Sequence, residues 1–205
     1  TADTGIVFVL FPPGTYLLGA QNRDEEKPNF EQNAIDDESI LGRAVEIDLA
    51  PYFLSKYEMT QGQWLRVRGM NPSEYSAGYH LRLGWGPRVT LAHPVERVSW
   101  DDCTETLRRM GLSLPTESQW EAACRAGTNT AWWPGSDRES LRGIANLADR
   151  AATRIGASWP DIEDWPDLDD GYGMHAPVGW YAANPFGLHD VHGNVWEWCR
   201  DAYGS

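Results

Sequence analysis

Three times along this chain a hydroxyl residue stands three places ahead of a side chain that can answer it, and a helix-forming run follows. Thr60 pairs with Gln63, Ser99 with Asp102, and Thr116 with Gln119. In such a capping box the hydroxyl accepts the third backbone N–H while the answering side chain returns to the cap's own N–H. A helix start is thereby fixed within four residues. The spacing predicts three short helices of about ten residues each. The second also has acids at its start (Asp101, Asp102, Glu105) and bases near its end (Arg108, Arg109), as the helix dipole favours.

Outside these helices the pattern is of short strands and long loops. Ile6 to Phe11 reads as a buried strand halted by Pro12-Pro13-Gly14, with Thr15 to Gly19 as its hairpin partner. Val45 to Leu49 alternates as a half-buried strand should, and Pro51 to Ser55 continues or bends it. Residues 21–43 are polar and acidic, a surface loop by composition. Capped helices among short strands argue for an α+β domain. From Ala131 to Pro185 helix periodicity fades, and so long a loop region needs something to order it. Eleven tryptophans beside 20 Gly and 13 Pro suit a fold in which aromatic slabs fill space between turns.

Charge and cysteine usage narrow the chemistry. With 17 basic against 30 acidic side chains the net charge is −13, which argues against nucleic acid and against an anionic membrane surface. The longest apolar run, Ile6 to Phe11, is too short to insert across a bilayer, and no signal peptide is visible, so a soluble protein is expected. Cys103, Cys124 and Cys199 form no C-x-x-C pair, which disfavours structural zinc, and three thiols are too few for a disulfide scaffold. Cys103 and Cys124 lie away from the helix N-termini that would activate them and read as structural. His189 and His192, bracketed by Gly187 and Gly193, read as loop histidines. Asp161 to Asp170 holds six acids in ten residues, either a solvated loop or oxygen ligands for calcium.

The most specific stretch is Asn184-Pro-Phe-Gly-Leu-His-Asp-Val-His-Gly-Asn-Val-Trp-Glu-Trp-Cys199. It closely resembles the signature of formylglycine-generating enzymes and sulfatase-modifying factors, which share a variant of the C-type lectin fold. Four more stretches resemble that family in the right order: Pro12 to Gly19, Tyr57-Glu-Met-Thr-Gln61, His93 to Trp100, and Leu114 to Glu121. The resemblance spans essentially the whole chain. It implies a single domain over residues 1–205 with low regular secondary structure, small antiparallel sheets and a C-terminal part lying beyond Ser205.

The resemblance also implies up to two structural calcium ions. One would be held by the side chains of Asn146 and Asp170 and the carbonyls of Leu147 and Tyr172. The other would be held by the side chains of Asp190 and Glu197 and the carbonyls of Gly193 and Val195. Both sets offer oxygen and no sulfur, as a hard cation requires. Members with oxidase activity convert a sulfatase cysteine to formylglycine, using copper held by a cysteine pair well after the Trp-Glu-Trp motif. Neither of those cysteines has a counterpart here, so copper enters only if the continuing segment carries the pair. Cys124 matches a family position that can pair with a cysteine of that segment.

Two functions follow as expectations. The first is a non-catalytic module, as in many bacterial relatives, a monomer binding a protein or peptide ligand. Trp85, Trp132 and Trp133 are then candidates for its aromatic surface, or else packing tryptophans. The second is the oxidase, with its remaining segment supplied in the same chain or as a separate C-terminal fragment completing the fold.

Overall fold

A computed structural model describes residues 5–32, 34, 44–77, 79, 88–157 and 167–201. Four strands, β1 (Phe8–Phe11), β2 (Gly14–Leu18), β3 (Val45–Leu49) and β4 (Tyr52–Ser55), precede helices α1 (Gln61–Arg68), α2 (Trp100–Arg109) and α3 (Glu117–Arg125). A 3-10 turn at Arg138–Leu141 and the short α4 (Arg150–Arg154) follow. All three capping boxes close in both directions, at Thr60/Gln63, Ser99/Asp102 and Thr116/Gln119. The sequence gives no sign of α4, whose N-cap is Asp149 accepting from Ala151 N.

The expected hairpin is not formed. β2 pairs with β3, and β1 pairs with β4, both antiparallel. One register runs through both pairs, from Phe8↔Ser55 and Phe11↔Tyr52 to Gly14↔Leu49 and Leu18↔Val45. The two small sheets are one long ribbon interrupted where Pro12 and Pro13 face Ala50 and Pro51. Proline has no N–H to give a ladder, so pairing stops there and resumes beyond it.

β1 is also not buried throughout. Val9 and Phe11 turn inward with their partners Leu54 and Tyr52, packing on Ala123, Cys124, Leu188 and Val191. The other face, Phe8, Leu10 and Phe53, stays exposed at 39%, 58% and 66%. Phe11 stacks on Tyr52, ring centroids 4.8 Å apart. Trp133 packs against this core and Trp132 against a second one of Leu141, Ala145 and Leu168, so both are packing residues. Trp85 and Asp161 to residue 166 lie outside the described residues.

Candidate functional site

The loop region expected to need ordering is held by a hub of side chain to backbone bonds. Asp170 is its centre. Its Oδ2 accepts from Leu147 N (2.7 Å) and Asn146 Nδ2 (3.3 Å), and its Oδ1 from Tyr172 N (2.8 Å). Asn146 Nδ2 also donates to the Tyr172 carbonyl (3.2 Å), and Asp149 N donates to the Leu147 carbonyl (2.9 Å). Asp149, fully buried, accepts from Asp170 N at 2.6 Å. All four residues expected at the first cation site therefore converge. Burial pushes the Asp170 carboxyl up to about 6, against the opposing pull of its two backbone donors.

The second set lies on the next layer. Asn146 and Gly193 form a parallel bridge, and Asn194 N donates to Asn146 O at 3.0 Å. The approach is so close that a Cβ on Gly193 would sit 2.0 Å from Asn146 O, and its φ of +78° already favours glycine. Asp190 (φ 59°) and Asn194 (φ 62°) turn the same loop through left-handed conformations that short polar residues tolerate.

Asp190 is 2% exposed; its Oδ2 accepts from Gly179 N at 2.6 Å, while its Oδ1 is buried without a partner. Among the described residues no protein donor reaches the carbonyls of Gly193 or Val195. Glu197 lines an open surface groove; desolvation by the protein around it raises its carboxyl above the usual range, against a hydrogen bond from Trp120 and with the charge of Asp190 adding to the rise. Burial likewise raises Asp190.

Sequence reasoning missed one member of this second set. Glu58, on the connection between β4 and α1, accepts from Asn194 Nδ2 (2.7 Å) and Val195 N (3.3 Å). Desolvation first, then the charges of Glu197 and Asp190, hold its carboxyl well above the usual range. Glu58 lies inside the Tyr57 to Gln61 motif. An acid placed between a strand and a helix cap was the signal available. Among the described residues no three acidic, histidine or cysteine side chains close on a point by themselves, so a cation here would depend on the carbonyl oxygens.

The thiols do not join either set. Burial pushes Cys124 up to about 12; its Sγ donates to Val191 O at 3.2 Å and lies 3.7 Å from His192 Nδ1. Cys103 and Cys199, both half-buried, are each pushed up to about 11. His189 Nδ1 lies 2.8 Å from Tyr181 O, and His192 Nε2 accepts from Trp133 N, so both serve the loop's packing.

Beside the second set runs an open groove of about 610 Å³ whose walls include Phe8, Phe53, Leu107, Trp120, Trp196 and Trp198. Trp196 is fully exposed, and Trp198 half exposed although its indole donates to Val98 O at 3.0 Å. Trp100 Nε1 to Cys199 O, Arg200 N to Pro115 O and Asp201 to Glu117 N strap this wall to α2 and α3.

The family model described as sulfatase-modifying factor enzyme 1-like domain matches residues 3–205. The chain belongs to this family. A formylglycine-generating enzyme of Thermomonospora curvata is 39% identical over 132 residues, covering 62% of this chain and 41% of that protein. The chain thus spans well under half of that relative's length. Two solved structures share the fold at low identity. Treponema denticola variable protein 1 has a TM-score of 0.63 at 19% identity, covering 97% of this chain and 74% of its own. PvdO from Pseudomonas aeruginosa has 0.60 at 21%, covering 96% and 70%. Among the described residues no helix is long and apolar enough to cross a membrane.

Proposed function

We propose that residues 1–205 act as a calcium-ordered recognition domain, a variant of the C-type lectin fold whose groove takes a protein or peptide segment. The observation that carries this reading is the groove itself. A largely apolar groove whose lining includes exposed Trp196, Phe53 and Phe8 is an expensive surface to leave in water, and such surfaces mark interaction sites. Its occupant is an extended apolar segment, from a partner or from a separate C-terminal fragment completing the fold.

Calcium suits the two oxygen sets. At the first, Asn146 and Asp170 would hold the ion with the Leu147 and Tyr172 carbonyls. At the second, the unpartnered Asp190 oxygen would do so with Glu197 and the Gly193 and Val195 carbonyls. The ion would supply fixed positive charge to cross-link loops that hold little regular structure.

The test is binding of extended peptides selected by display against the domain, compared with a Trp196→Ala/Trp198→Ala variant. Loss of binding with an unchanged melting temperature supports the reading. Equal binding by both proteins overturns it.

A second reading is favoured by the 39% identical relative named a formylglycine-generating enzyme. In it the groove seats a continuing segment whose cysteine pair would hold copper, and the whole protein oxidises a cysteine-containing sulfatase peptide with dioxygen. Two electrons come from a thiol reductant, the cysteine sulfur leaves as sulfide, and the oxygen ends in the aldehyde and water. Thiol-to-aldehyde conversion of such a peptide by the copper-loaded full-length protein, read by mass, decides for it.

A further inference from the structure

We propose that Glu58 is a positioning residue of the second cation site, clamping the 193–195 turn so that its carbonyls face the free oxygen of Asp190; the proposal rests on the calcium reading above. Each oxygen of Glu58 holds a different donor. Oε2 takes the Asn194 side chain at 2.7 Å and Oε1 the Val195 backbone N–H at 3.3 Å, contacts 136 and 137 residues away in sequence. These two donors bracket the peptide unit joining Asn194 to Val195, and the carbonyls on either side of the clamped residues belong to Gly193 and Val195.

Asn194 in turn passes the constraint on. Its Oδ1 accepts from Ala176 N at 2.9 Å, and its own N–H donates to Asn146 O at 3.0 Å. The turn is thus fixed from three sides while its two carbonyls have no donor among the described residues. A carboxylate spent wholly on orienting a turn of bare carbonyls, next to a buried carboxylate oxygen without a partner, is the arrangement expected of an outer-shell support for a cation.

The experiment is calorimetric titration of the metal-stripped chain with calcium, for wild type and Glu58→Gln, with melting curves in calcium and in chelator. Loss of an outer-shell support lowers metal affinity about 10–100-fold. Wild type should take two ions, and E58Q should keep one site unchanged and weaken the other by about ten-fold or more. The calcium-induced rise in melting temperature should shrink in E58Q. A purely structural brace would lower both melting temperatures and leave that rise unchanged, which overturns the proposal. Identical titrations of the two proteins also overturn it while leaving the calcium reading standing. A wild type that takes no calcium overturns that reading, and the clamp falls with it. Should E58Q fail to fold, Asn194→Gly keeps the positive φ and removes the other half of the clamp. Wild-type affinity at both sites of N194G refutes the role.

Discussion

The two oxygen-rich hubs touch through Asn146 and Gly193 but are finished differently. At the first, every oxygen of Asp170 has a backbone or amide donor, and the carbonyls of Leu147 and Tyr172 have partners too. At the second, Asp190 keeps one buried oxygen without a partner, and the Gly193 and Val195 carbonyls have no donor among the described residues. The same residue chemistry therefore serves two ends. The first hub can hold its loop by hydrogen bonds alone, while the second stores an unmet electrostatic demand. Leaving the buried Asp190 oxygen unpaired costs about 1–3 kcal/mol, so the second hub gains more from a cation.

The largest effect should come from the seam. Gly193→Ala needs a Cβ 2.0 Å from Asn146 O at a positive φ, and should cost ~3 kcal/mol or more in urea unfolding. A cost under about 1 kcal/mol would show that the hubs are not packed against each other as described.

Calcium is next. At a free concentration ~100-fold above Kd each occupied site adds ~2.7 kcal/mol, so chelation should lower the melting temperature. About half of that shift, the share of the second site, should vanish in Asp190→Asn. An unchanged melting curve after chelation would remove the functional contrast between the hubs.

Without calcium, the order of carboxylate variants should reverse. Asp170→Asn leaves one of its backbone or amide donors facing an NH2 group, and should cost ~2 kcal/mol. Asp190→Asn can still accept from Gly179 N while replacing the unpartnered oxygen, and should cost less than about 1 kcal/mol. Equal costs would break the comparison.

The smallest effect concerns acid. Burial first, then the nearby His93, holds His175 down to about 4, and His93 is itself lowered by burial. The unfolded chain binds these protons below the ordinary histidine value, near 6.5, and the folded chain resists them. Stability should therefore fall as pH drops from about 6.5 toward 4. His175 precedes Ala176, whose N–H holds Asn194, so the loss reaches the second hub. His175→Gln should flatten this limb of the stability–pH curve; an unaltered slope would exclude His175 as its source.

How much of this could be read in advance differs by element. The three helix starts were legible because a capping box is closed by side chains three residues apart, with no help from the rest of the protein. α4 was not, since its five residues carry no periodic apolar face and its cap is an aspartate already shared with Asp170. The two candidate cation sets were legible only through family resemblance. Spacing alone could not have joined Asn146 to Asp170 across a long loop.

Strand identity was likewise settled locally and strand partnership was not. β1 was visible as an apolar run and β2 as the segment after its Pro12-Pro13-Gly14 stop, yet prolines at their junction let the chain run straight on to pair with a return ribbon from residues 45–55. The amino-acid sequence by itself determined where the three boxed helices begin and where the strand ladder breaks, because those depend on neighbours in the chain. The tertiary structure alone decided that β1 meets β4, that Gly193 presses on Asn146, and that Glu58 clamps a turn 136 residues away. Such contacts arise when the whole core closes, and no local preference encodes them.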